Sequence, residues 1–211
     1  MIVIVDYGMG NLKSVENAAA YLGKRAIITD SASRIRKAGK IVFPGVGHFG
    51  KAVKELKSRK IFDVLKERIE AGVPFLGICL GMQLLLERSE EALGVKGLSV
   101  IEGQVKRFKT KDLIVPHMGW NKVTSNKAHN AKKTGNIFKG IPEGTYFYFA
   151  HSFYCVPAQS CAALTTTKYG VAFASSVQKG NVYGVQFHPE KSQRFGLKVF
   201  DNFLSLPDVN R

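Results

Sequence analysis

Val73-Pro-Phe-Leu-Gly-Ile-Cys-Leu-Gly-Met-Gln83 decides the architecture. Residues 73–78 are a short, almost wholly apolar run after Gly72, as expected of a strand buried on both faces. A helix is expected over residues 80–88, starting one residue after Cys79. Strand and helix then meet at a sharp turn, with Gly77 and Gly81 flanking a nucleophilic side chain. This is the nucleophile-elbow arrangement with sulfur in place of the serine oxygen. Its glycines relieve crowding, and the turn exposes the side chain at the carboxyl end of the strand.

The same alternation repeats upstream. Residues 2–5 form a β-branched run, Asp6-Tyr-Gly-Met-Gly-Asn11 reads as a turn, and residues 14–22 read as a helix closed by Gly23. A second strand is expected at 25–29, a short helix at 33–38, and a third strand at 40–43 ending in Pro44-Gly-Val-Gly47. Val53, Leu56, Ile61, Val64, Leu65 and Ile69 place one or two amphipathic helices between residues 49 and 71. Three parallel crossover units make an α/β fold with an open, largely parallel sheet flanked by helices, whose ligands bind beyond the carboxyl ends of its strands. The later runs, 100–108, 121–123, 145–149, 162–167, 173–177 and 182–187, are short and β-rich, so an antiparallel extension is expected in the C-terminal half. Residues 195–204 read as a closing helix, 207–211 as a frayed tail, and the basic stretch 126–136 as the most mobile loop. Gly8-Met-Gly10 begins like a dinucleotide fingerprint, but Lys13 stands at the third glycine position.

With 211 residues, the chain is expected to be a single domain over 1–211. The longest mostly apolar stretch is interrupted by Gly77, Gly81 and Gln83, and falls short of the roughly 18 residues of a membrane span. The first residues lack a signal peptide's basic and apolar regions, so no membrane is expected and the expected location is cytoplasmic. Three cysteines without Cys-x-x-Cys spacing argue against a disulfide scaffold and a structural metal. Lys and Arg number 31 against 16 Asp and Glu, a net charge of +15. Such an excess, dense between Lys96 and Lys139, raises the question of a polyanion partner. The segment carries no RNA-recognition aromatic motif, zinc finger or helix-turn-helix pattern, so no specific nucleic acid is expected and a solvated basic surface is the preferred reading.

Cys79 has two readings, a buried core thiol or a nucleophile, and the flanking glycines favour the nucleophile. The helix starting at Leu80 would turn its positive end toward the sulfur, and a nearby imidazolium lowers a thiol pKa. The Leu80 amide would face a developing oxyanion. Of five histidines, His188 ends an apolar run and is followed by Pro189 and Glu190. The rigid proline could hold the carboxylate against the imidazole, although a loop-end histidine beside a surface glutamate is the plainer reading. His117 and His151 suit packing or substrate positioning, while His48 and His129 have no supporting context. The Pro44-Gly-Val-Gly47 loop is either an ordinary turn or the source of a second oxyanion donor.

Taken in order, Pro44-Gly-Val-Gly47, Gly77-Ile-Cys-Leu-Gly-Met-Gln83 and His188-Pro-Glu-Lys-Ser192 resemble the class I, triad-type glutamine amidotransferases. Asp6-Tyr-Gly-Met-Gly-Asn11, Pro116-His-Met-Gly-Trp-Asn121 and Tyr146-Phe-Tyr-Phe-Ala-His-Ser152 narrow the resemblance to the glutaminase subunits of imidazole glycerol phosphate synthases. The resemblance covers nearly the whole chain. It implies glutamine hydrolysis with Cys79 as nucleophile, His188 as acid and base, and Glu190 orienting it. An oxyanion would rest on the Leu80 amide and one from Val46 or Gly47. Gln83, Glu91, Ser152 and Phe153 would hold the glutamine, although the family often carries tyrosine where Phe153 stands.

The resemblance further implies no cofactor and no metal. Its expected partner is a (βα)8-barrel cyclase subunit that uses the ammonia to make imidazole glycerol phosphate and aminoimidazole carboxamide ribotide, the pair forming a heterodimer. Met118, Trp120, Tyr148 and Lys191 resemble positions near that interface, and core packing is the plainer account of Met118 and Trp120. Glycines around Val46 allow its peptide to reorient, so the oxyanion hole could be completed by the liganded partner. The alternatives are a paralogue supplying ammonia to another synthase, another cysteine hydrolase of similar fold, and a non-enzymatic basic binding protein.

Overall fold

A computed structural model describes residues 1–109, 113–126, 128 and 137–208. The N-terminal half alternates strands and helices: β1 (Ile2–Val5), α1 (Leu12–Tyr21), β2 (Ala26–Thr29), α2 (Ala32–Arg36), β3 (Lys40–Gly45), α3 (Phe49–Ser58), α4 (Phe62–Glu70) and β4 (Phe75–Cys79). Period-two alternation explains the layers. Val3, Val5, Ile41, Phe43 and Phe75 face one side of the sheet, where Ala52, Val53 and Leu56 of α3 and Leu65 of α4 cover them. Ile4, Val42, Leu76 and Ile78 face the other, against Val15, Ala18 and Ala19 of α1. There the closing helix α6 (Gln193–Leu204) adds Val199, Phe200 and Phe203. Both sheet faces are covered, so the central strands are apolar on both sides.

The remaining elements are α5 (Leu80–Gln83), β5 (Leu86–Ser89), β6 (Ala92–Lys96), β7 (Ile101–Arg107), β8 (His117–Lys122), β9 (Thr124–Ser125), β10 (Tyr146–His151), β11 (Phe153–Pro157), β12 (Ala163–Tyr169), β13 (Val171–Lys179) and β14 (Val182–Val185). Among the described residues the main sheet runs β2-β1-β3-β4-β14-β13-β11-β7-β5-β6, with β12 and β9 joined beside β13, and β8 and β10 form a separate pair. Strands β2, β1, β3, β4 and β14 are mutually parallel. From β13 onward the pairings are largely antiparallel. The expected mixed, largely parallel architecture with an antiparallel extension is therefore present. Among the described residues no helix is long and apolar enough to cross a membrane.

One expected element is different. The helix expected over residues 80–88 lasts one turn, and Leu86–Ser89 is a strand. The reason lies in residues distant in sequence. Leu98 N–H donates to Leu84 O, and Val100 and Ile101 N–H donate to Leu85 O, so carbonyls that would continue a helix are already occupied. Leu84, Leu85 and Leu86 are wholly buried, each worth about 1.5–3 kcal/mol of apolar burial. Other expectations shift in extent: β8 begins at His117, ahead of the expected residue 121, and β11 and β6 were not anticipated. The expected mobile loop lies outside the described residues except for Asn126 and Ala128, as does the end of the tail beyond residue 208.

Topology fixes where chemistry can occur. β3, β4 and β14 are adjacent and parallel, with Gly45 opposite Cys79 and Val185 opposite Ile78. Their carboxyl ends therefore open side by side, about 4.8 Å apart from strand to strand. The turn at Cys79 is closely packed: a Cβ on Gly81 would lie 1.8 Å from Phe43 O, and one on Gly77 would lie 2.6 Å from Gly81 O. Backbone cannot yield as a side chain can. Gly81→Ala is expected to lower stability by about 3 kcal/mol, read as a drop in the urea midpoint. An unchanged midpoint would show that β3 and α5 do not pack as described.

Candidate active site

Cys79 takes φ +55° and ψ −108°, a conformation costly for a residue with a Cβ. It is the last residue of β4 and the residue before α5, and its side chain is 5% exposed. Because α5 is a single turn, it cannot supply the helix field expected from a helix over residues 80–88. Gln186 Nε2 lies 3.7 Å from Cys79 Sγ, and the thiol can donate to Ala150 O at 3.8 Å.

His188 follows β14, the neighbour of β4, and its Nδ1 is 2.8 Å from Glu190 Oε1. Pro189 begins a single 3₁₀ turn that folds Glu190 back against the ring. The imidazole and carboxylate side chains are 5% and 3% exposed, so their pairing is scarcely screened by solvent. Burial alone lowers the His188 pKa, but the charge of Cys79, followed by Glu190, outweighs it and pushes the value up to about 10. Among the described residues, the buried Nε2 has no hydrogen-bond partner. One ring nitrogen is therefore oriented by Glu190, and the other is left available for proton transfer, which is the division of labour a triad requires.

A cavity of about 310 Å³ opens over Cys79, lined by Val46, Gly47, Leu80, Gln83, Glu91, Met118, Ser152 and Phe153 among others. It gathers the expected oxyanion and substrate-binding residues around the sulfur. Gly47 has φ +104°, and Val46 is 44% exposed. Gln83 Nε2 donates to Phe153 O at 2.9 Å and to Gln186 Oε1 at 3.2 Å. Glu91 Oε2 accepts from Phe49 N–H at 2.7 Å, so this carboxylate also anchors the start of α3. The four residues expected near an interface separate into two places. Met118 borders the cavity, whereas Lys191 Nζ lies 5.8 Å from the Tyr148 ring centroid, and Tyr148 in turn meets Trp120 edge to face at 6.2 Å. Met118 and Trp120 are 64% and 46% exposed, so neither is core packing.

The family model of class-I glutamine amidotransferases matches residues 3–206. The chain belongs to this family. Among named relatives, imidazole glycerol phosphate synthase subunit HisH of Moorella thermoacetica is 48% identical over 202 residues, covering 96% of this chain and 93% of that protein. The subunit of the same name from Methanocaldococcus jannaschii is 44% identical over 208 residues, covering 98% of this chain and all of that one, 100%. In solved structures, a glutamine amidotransferase superposes with a TM-score of 0.73 at 18% identity, covering 97% of both chains. Another glutamine amidotransferase, from Thermotoga maritima, gives 0.62 at 18% identity, covering 96% of this chain and 81% of that one. At such identities the structural likeness speaks for the fold alone.

Three residues around this cavity were not legible as a group. Gln186 is wholly buried beside the sulfur, and an amide inside the otherwise apolar run 182–187 was the available signal. His117 and His151 pair across β8 and β10, Nδ1 to Nε2 at 3.0 Å. Neither could be paired from sequence, because 34 residues separate them. Elsewhere, His48 accepts at Nδ1 from Gly50 and Lys51 N–H and so caps α3.

Protonation should divide these histidines. Burial lowers the His117 pKa to about 4 and that of His151 to about 3. An unfolded chain takes up their protons near 6.5, which the folded chain refuses, so stability falls as pH drops from about 6.5 toward 4. The urea midpoint should decline across that interval, with a shallower slope in His117→Phe; equal slopes would contradict the assignment. His188 has the opposite sign: its imidazolium stabilises the fold fully below about 6.5, and this contribution is lost as pH rises through about 10. Cys79→Ala removes the largest raising influence, so the His188 ring, followed by NMR, should titrate at lower pH than in the wild type. An unchanged titration would place the sulfur too far away to act.

Proposed function

We propose that this chain hydrolyses glutamine to glutamate and ammonia, and passes the ammonia to the cyclase subunit of an imidazole glycerol phosphate synthase in histidine biosynthesis. The observation that carries this reading is the junction at Cys79: a nucleophile held at φ +55° beside the His188–Glu190 pair, at the floor of a cavity. The named relatives support the choice of reaction and partner.

Cys79 Sγ attacks the side-chain amide carbon of glutamine, and the carbonyl electron pair moves to oxygen. That oxyanion is held by the Leu80 amide and by an amide from Val46 or Gly47. His188 Nε2–H protonates the nitrogen, the C–N bond breaks, and ammonia leaves a thioester. His188, now neutral, takes a proton from water as the water oxygen attacks the thioester. The C–S bond breaks, glutamate departs and the thiolate returns. Throughout, Glu190 keeps Nδ1 protonated and the ring in place. Gln186 offers its amide to the thiolate, and Gln83, Glu91, Ser152 and Phe153 hold the amino-acid end of the substrate. Opposite charge suits Glu91 to the substrate ammonium, whose burial without a partner would be costly.

Ammonia becomes protonated in bulk water, so its release must face the partner. Exposed Trp120 and Lys191 flank half-buried Tyr148 in one cluster next to the His188 loop, where the His188 N–H donates to Tyr148 O. The cyclase covers this cluster together with Met118. Flanking glycines let the Val46 peptide turn, so the second oxyanion donor is completed when the liganded cyclase docks. The chain acts as a single domain in the cytoplasm, where a reducing environment keeps Cys79 out of disulfides.

Glutamate release tests the reading directly. It should be slow with this chain alone, rise strongly with the cyclase and its nucleotide substrate, and disappear in Cys79→Ala, about 10⁴-fold or more below the wild type. Activity without stimulation would point to another acceptor, and cleavage of peptides or polyglutamates would point to a different cysteine hydrolase.

A further inference from the structure

From His151, in the cavity wall, a hydrogen-bond chain that the hydrolytic steps do not use leads outward. Its direction is set at both ends. At the inner end, Phe153 O can only accept, so His151 Nδ1 carries the proton between them at 2.7 Å. At the outer end, Asn121 Oδ1 accepts from Lys122 N–H at 2.7 Å while Asn121 Nδ2 donates to Lys168 O at 3.1 Å, which fixes the amide's orientation. Asn121 Nδ2 therefore donates to His117 Nε2 at 3.2 Å, and His117 Nδ1–H donates to His151 Nε2 at 3.0 Å. Two neutral rings satisfy every contact from Asn121 through His117 and His151 to Phe153. Both rings are buried, 3% and 5% exposed. His117 is also stacked between Tyr169 and Phe149, at centroid distances of 4.0 and 5.0 Å.

The chain connects two surfaces of different kinds. Its inner end is the Phe153 carbonyl at the start of β11, which also accepts from Gln83 Nε2, and β10, which carries His151, presents Ala150 O to Cys79. Its outer end is β8, where alternation turns His117 and Asn121 inward while Met118 and Trp120 face outward. A shift of β8 would therefore act on the wall through paired, directional hydrogen bonds.

We propose that Asn121, His117 and His151 are positioning residues for glutamine hydrolysis: they hold the 150–153 wall against Gln83 and Cys79 and tie it to the outward face of β8. This rests on the glutamine reading of the cavity given above. A partner seated on Met118 and Trp120 then sets the wall's position, and with it the fit of the substrate.

The test compares His117→Phe, which keeps the aromatic stack and breaks both hydrogen bonds, with His117→Asn, whose Nδ2 can replace Nδ1–H. Two readouts are taken on folded protein, checked by thermal melting: kcat and KM for glutamine with the cyclase bound, and the rate of Cys79 alkylation by iodoacetamide in the chain alone. In His117→Phe, KM should rise about five- to tenfold, the weight of one hydrogen bond, with kcat within about twofold. Alkylation should also change, and His117→Asn should return both values toward the wild type. A merely structural role would lower the melting temperature without this split or rescue. Unchanged KM and alkylation in His117→Phe, or equal impairment in His117→Asn, would overturn the proposal. If His117→Phe does not fold, Asn121→Leu decides: a KM at least about twofold higher supports the relay, and a wild-type KM refutes it. Wild-type protein without glutaminase activity would refute the glutamine reading, while the alkylation series would still decide whether the relay holds the wall.

Discussion

At Cys79 a residue bearing a Cβ is held at φ +55°, and the chain tolerates this only because its surroundings leave no alternative. Gly81 lies against the carbonyl of Phe43, and Gly77 against the backbone of Gly81. The strain, of order 1–3 kcal/mol, is sustained by a core in which Phe43, Phe75, Leu80 and Met82 are buried together. Once the turn is held, the sulfur can stand only at the carboxyl end of β4, between the ends of β3 and β14. The oxyanion loop and the histidine loop then arrive by strand adjacency, with no long connection needed to bring them together.

Electrostatics follows from this placement. Four imidazoles, all in one small chain, are pushed to different tasks by what surrounds them. His188 faces a sulfur and a carboxylate and is driven toward its charged form despite burial. His117 and His151 face each other, the Asn121 amide and the Phe153 carbonyl, and burial keeps them neutral. His48 is a helix cap. Separating groups of one chemical kind by environment is how a single site obtains both a proton carrier and a rigid support.

Much of this was legible in the sequence because it is local. Glycines on both sides of Cys79, the strand before it and the His188-Pro-Glu190 run each carry their own physical reason. Periodicity likewise located the parallel strands and the helices that cover them. The failures were non-local. Residues 80–88 have a helical pattern, yet Leu98, Val100 and Ile101 capture the carbonyls of Leu84 and Leu85. That competition is invisible without the fold. His117 and His151 looked like separate packing residues because only the β8–β10 register sets them side by side. Gln186 could have been singled out, since an uncharged amide in a buried strand needs partners.

The central claim is that the Cys79 turn and its cavity form a glutamine site that acts through a covalent bond to sulfur. Treating the complex of this chain and the cyclase with an electrophilic diazoketone analogue of glutamine, followed by peptide mass spectrometry, tests it most directly. The account predicts one adduct, on Cys79, suppressed by excess glutamine and absent from His188→Ala under the same exposure. Labelling at the exposed Cys161 with Cys79 untouched, or labelling of Cys79 that glutamine does not suppress, would contradict it.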